Sequence, residues 1–129
     1  MLIRQPVIFA VLILCILAIQ ACSKSGPTND KFLKLSHGVI NVTNTRGSQH
    51  SFSVQSNIRW QLSISPAMTD WIILNKTNGY GDENIVATAA KDNPDKIAKR
   101  AEIIASAVDD PSVRPVQLLI IQNDTTIVK

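Results

Sequence analysis

Cysteine is nearly missing from this chain. Only Cys15 and Cys22 occur among 129 residues, and none lies beyond position 22. The remainder cannot build a disulfide framework, nor a structural zinc site of the cysteine type. Stability must come from an apolar core alone, and residues 33–122 are numerous enough to form one. Positive charge is thin too. The formal charge is +3, of which Arg4 supplies one; Arg46, Arg59, Lys76 and Arg114 stand singly, and Arg100 has only Lys99 beside it. A nucleic-acid footprint needs clustered cations, so that class of partner is excluded. Glutamate occurs only as Glu83 and Glu102, and no serine sits in a nucleophile-elbow sequence. Hydrolysis by paired carboxylates or by an activated nucleophile lacks its parts, so no enzyme is expected.

Metal and cofactor signals are equally sparse. His37 and His50 lie 13 positions apart with no partner at ligand spacing, and read as solvated loop residues. The acidic pairs Asp82/Glu83, Asp92/Asp95 and Asp109/Asp110 match no calcium loop, and turn formation accounts for them. No metal and no cofactor is expected.

What the chain does have begins at its N-terminus. Arg4 precedes Val7–Ile19, an unbroken apolar run of 13 residues. A spanning helix needs roughly 20 apolar residues, a secretion signal roughly 7–15. The run ends in Ile19-Gln20-Ala21-Cys22, which resembles the lipobox of bacterial lipoproteins, with Gln20 a looser fit than the usual small residue. Residues 1–21 are therefore expected to form a signal helix that is removed. Cys22 is expected to carry the lipid that makes a membrane the first partner. Polar residues 23–31, with Gly26 and Pro27, read as a tether with an r.m.s. span of roughly 15–18 Å. The tether region is taken as 22–32 and a short tail as 123–129. No acidic patch of the kind that resembles a surface-export signal follows Cys22, which favours the periplasmic face of a Gram-negative outer membrane.

From residue 39 onward the hydropathy has period two. Trp60, Leu62 and Ile64 alternate with polar residues across 59–65, and Phe52 and Val54 do so across 51–55. Further runs are 39–43, 71–74, 84–90, 100–107 and 115–122, with Leu118–Ile121 apolar on both faces as in a central strand. Turn signals separate them at Ser56-Asn57, Asn78–Asp82, Asn93–Asp95 and Asp109–Pro111. The pattern predicts an all-β antiparallel sandwich with Phe52, Trp60, Trp71, Ile103, Leu118 and Ile120 in its core. Tyr80, between Gly79 and Gly81 at a turn tip, is the one aromatic whose exposure the sequence suggests. With Asp82 beside it, Tyr80 is the candidate ligand contact.

Certain residues are also familiar as a set. They are Phe52-x-Val54-x-Ser56-Asn57-x-x-Trp60, Trp71-Ile72-x-Leu74, Gly79-x-Gly81-Asp82, Asn93, Arg100-x-x-Ile103 and Val116–Gln122. In order and spacing they resemble the BACON domain, a Bacteroidetes-associated domain often found N-terminal in carbohydrate-active proteins. The resemblance covers residues 33–122. It implies an immunoglobulin-like sandwich of about seven strands, and carbohydrate or mucin-type glycan binding. The other expectation is a structural or protein-interaction lipoprotein of the envelope without glycan affinity. Asp124-Thr125-Thr126 resembles a Bacteroidetes O-glycosylation acceptor.

Replacing Cys22 with Ser should leave the precursor unlipidated and move the protein to the soluble fraction. Phase separation in detergent with N-terminal sequencing checks this, and a membrane-bound variant retaining Met1 sinks the lipoprotein reading.

Overall fold

The computed structural model describes residues 29–67 and 69–124. The signal segment, Cys22, most of the tether and Thr125–Lys129 lie outside the described residues.

Nine strands occur among the described residues: β1 (Leu33–Leu35), β2 (Val39–Val42), β3 (Gln49–Ser56), β4 (Arg59–Ser65), β5 (Ile72–Leu74), β6 (Asn78–Tyr80), β7 (Glu83–Ala89), β8 (Lys99–Ala107) and β9 (Val116–Gln122). They form two sheets, ordered β1-β3-β7-β5 and β2-β9-β8-β4-β6. The fold is the expected all-β, immunoglobulin-like sandwich.

Two departures have clear causes. The count exceeds seven because β1 and β6 are only three residues long, too short to display an alternation. Residues 78–80 also carry turn-forming Asn and Gly, which disguised a strand as a loop. The arrangement is not wholly antiparallel either, because β2 runs parallel to β9, with Ile40 beside Ile120. Between β1 and β2 the chain passes from one sheet to the other, which brings β2 to that edge in the parallel sense.

The alternation drives the packing. Phe52 and Val54 face inward from β3, Trp60 and Leu62 from β4, Ile85 from β7, Ile103 from β8, and Leu118 and Ile120 from β9. Trp60, Ile103, Leu118 and Ile120 have no exposed surface, Phe52 is 1% exposed and Trp71 7% exposed. All six expected core residues are therefore interior. Small residues offset the large ones: Ala87 and Ala89 of β7 stand opposite Leu74 and Ile72 of β5. Such alternation lets two sheets reach interior density without voids. Leu118–Ile121 does lie in a strand paired on both edges, between β2 and β8.

The sandwich also buries polar side chains. Asn93 donates from Nδ2 to the carbonyls of Ile97 and Asn123, and its Oδ1 accepts from Asp95 N–H. Gln122 donates from Nε2 to Lys91 C=O at 2.7 Å. These amides tie the 91–97 loop to itself and to the end of β9.

Phe52→Ala should cost about 3–5 kcal/mol, since it removes one of the largest buried side chains and leaves a cavity. Urea denaturation monitored by tryptophan fluorescence reads the loss.

Candidate functional site

Trp60 and Gly79 are direct cross-strand partners in the β4–β6 pair, so their side-chain positions share one face. The indole fills that face. A Cβ on Gly79 would stand 2.5 Å from Trp60 Cζ2 and 2.6 Å from Glu83 Oε1. Only glycine fits there. Since Gly79 faces the interior, its neighbours Asn78 and Tyr80 must point outward, beside Gln61 and Arg59.

The turn after Tyr80 is fixed just as closely. Trp60 donates from Nε1 to Gly81 C=O at 2.9 Å, and Gly81 N–H donates to Ile58 C=O at 3.2 Å. Gly81 has φ near +70°, the left-handed region that favours glycine. Asp82 Oδ1 accepts from Ser56 N–H at 2.8 Å. Ser56 Oγ in turn donates to the carbonyls of Phe32 and Ile58 and accepts from Ile58 N–H. Asn57 Oδ1 accepts from Phe32 N–H at 2.9 Å. Ser56, Asn57, Trp60, Gly79, Gly81 and Asp82 thus form one scaffold at the corner where the chain crosses from β5 to β6 and back to β7.

Tyr80 is what this scaffold presents, at 68% exposure. It borders two solvent-open clefts. The larger, about 460 Å³, is lined by Arg59, Lys76, Asn78, Glu83 and Val108, with Trp60 and Gly79 at its base. The smaller, about 220 Å³, is lined by Lys31, Asn57, Ile58, Arg59, Asp109 and Asp110. Tyr80 and Arg59 line both, so this cross-strand pair is the ridge between them.

Every ionic group of the two clefts has an opposite partner. Lys76 Nζ lies 2.5 Å from Glu83 Oε2, Lys31 Nζ 2.7 Å from Asp110 Oδ2, and Arg59 Nη1 3.9 Å from Asp109 Oδ2. The Lys31 ammonium, then the hydroxyl and N–H of Ser112, hold the Asp110 carboxyl down to about 2. The bond to Asp110 raises the Lys31 amine above its ordinary value. Such a depressed carboxyl favours the folded state above the usual carboxylate range and loses that contribution as pH falls through about 2.

The two candidate contacts named from sequence therefore sit together, but in different roles. Tyr80 projects to solvent, whereas Asp82 has one carboxylate oxygen committed to the backbone. Sequence reasoning passed over Arg59, Asn78 and Val108, because nothing in a strand pattern says which outward residues share a corner. It also left Phe32 unplaced: this ring is 39% exposed, next along the chain from Lys31 of the smaller cleft.

The histidines are not both loop residues. His50 lies within β3, and its ring meets that of His37 edge-on at 5.8 Å. The antiparallel pairing of β1 with β3, continued by Ser36 N–H donating to Ser53 C=O, brings them together, which spacing along the sequence cannot reveal. Among the described residues no group of three His, Cys, Asp or Glu side chains could hold a metal ion.

Gly79→Ala should destabilise the domain by about 1–3 kcal/mol, because the added methyl meets the indole. A fall in urea midpoint checks it, and an unchanged midpoint sinks the account of this corner.

No protein-family profile matches the chain, and no curated protein matches it. Solved structures do resemble it in fold. A GH5 xyloglucanase of Bacteroides ovatus, determined with a XXXG heptasaccharide, matches 77% of this chain with TM-score 0.59 and 17% identity. This chain corresponds to only 20% of that enzyme's length. The Escherichia coli chaperone DraB matches 77% of this chain with TM-score 0.55 and 9% identity, over 58% of its own length. A PapD-like domain of human CEP192 matches 71% of this chain with TM-score 0.54 and 11% identity, over 84% of its own length. At these identities the likeness is one of fold, and the chain is an immunoglobulin-like β-sandwich.

Proposed function

We propose that this protein is a non-catalytic binding lipoprotein, held to the outer membrane through Cys22, that takes carbohydrate at the corner built around Tyr80. The observation that carries this reading is Tyr80 itself, a largely exposed ring on a rigid mount between two polar clefts. Sugar recognition needs a flat aromatic face for the C–H side of a pyranose and polar groups for its hydroxyls. Tyr80 supplies the first, and Asn78, Arg59, Lys76 and Glu83 supply the second. The larger cleft falls within the size range of small-ligand sites.

The resemblance to BACON domains supports the same reading, through Ser56-Asn57, Trp60, Gly79, Gly81 and Asp82. These residues build the mount, with Asn57 also lining the smaller cleft, so they support a common corner and leave most ligand contact to the outward side chains. The xyloglucanase likeness adds a related sandwich within a polysaccharide-degrading enzyme. A tether of about nine residues, with an r.m.s. span of roughly 15–18 Å, would keep the domain close to the membrane, on the periplasmic face.

Tyr80→Ala should weaken retention on glycan-coated beads by at least about tenfold, the loss of one stacking platform, without lowering the melting temperature. Wild-type retention that is equal to the variant's, or absent from every glycan tried, overturns the reading in favour of a protein-interaction role.

A further inference from the structure

The shape and charge of the corner say more than that a sugar is taken there. We infer that the ligand is an uncharged, linear glycan that runs through both clefts and crosses Tyr80 with an internal unit. The inference rests on the carbohydrate-binding reading and specifies its ligand.

Shape argues for a chain passing through. A pocket for a terminal sugar is enclosed and blind, so that one unit is surrounded. Here both clefts are open to solvent and share Tyr80 and Arg59 as a common wall. A single ring on Tyr80 would leave the flanking space unfilled on both sides. A chain whose middle unit lies on Tyr80 places its neighbours in the two clefts, over Asn78 and Val108 on one side and Asn57 and Ile58 on the other.

Charge argues for a neutral chain. Lys31, Arg59 and Lys76 are the cations lining the clefts, and Asp110, Asp109 and Glu83 are their partners. A sulfated or uronate-rich polymer would meet a carboxylate beside each cation, and would have to displace it. Sites that select polyanions leave their cations uncompensated. Hydroxyl groups, by contrast, are served by donors and acceptors standing side by side, which an ion pair provides.

The test uses the full chain in detergent on an array holding neutral linear, branched, sulfated and uronate-containing glycans. The expected signal lies on neutral linear chains. For the strongest of these, affinity should rise about tenfold or more from the monosaccharide to the tetrasaccharide. It should change less than about twofold between about 0.05 M and about 0.5 M salt, because no net charge is being paired. Val108→Trp, at an exposed position of the larger cleft, should fill it and weaken the tetrasaccharide about tenfold. Strongest binding to a polyanion with steep salt dependence overturns the inference, and so does a monosaccharide that binds as tightly as its oligomers. Both of those outcomes leave carbohydrate binding itself standing. Absence of signal across the array removes both together.

Discussion

The structure depends on the packing of one indole against one glycine. Trp60 has no exposed surface, yet lies one strand in from the edge of its sheet, against Gly79 of the edge strand β6. The indole terminates the core where β6 is too short to cover it with side chains. Its Nε1 reaches Gly81 C=O, so a buried polar hydrogen also finds its partner. Packing and hydrogen bonding thus fix the same three-residue strand. Parity does the rest, since a strand whose middle residue faces the core must turn the flanking residues to solvent.

This coupling joins stability to the site. Ser56, Asn57 and Asp82 hold backbone of neighbouring segments through side-chain hydrogen bonds. The corner is therefore preorganised, with its backbone positioned by the same contacts that close the sandwich. Under the proposed reading, little ordering of the backbone would accompany binding, which would lower its cost. The surface ion pairs contribute little stability by comparison, because solvent screens them. Their weight falls on the electrostatic character of the clefts.

Much of the fold was readable in the residues. The run Arg59–Ser65 coincides with β4, and the inward positions Phe52 and Trp60 follow from alternation alone, whereas in the doubly apolar stretches around Ile103 and Leu118–Ile121 the inward residues are set by the sheet. Tyr80 stood out because glycines flank it. Other features were not readable. β1 and β6 are too short for a period, the parallel β2–β9 pairing leaves no local trace, and His37 meets His50 through the pairing of β1 with β3. Asp82 looked like a ligand contact because acidic turn residues can be either exposed or bonded to backbone, and the difference lies in Ser56, 26 residues away.

By itself the sequence determined the class of the protein. The apolar run before Cys22 sets the expectation of an anchor, and period-two alternation specifies a sandwich. These are properties of composition and of residues close in the chain, where spacing alone carries the physics. Only the tertiary structure decided the site. It brought Tyr80 beside Arg59, set three ion pairs around two clefts, and gave Asp82 a structural partner. Those relations depend on register between strands distant in sequence, which a one-dimensional pattern does not contain.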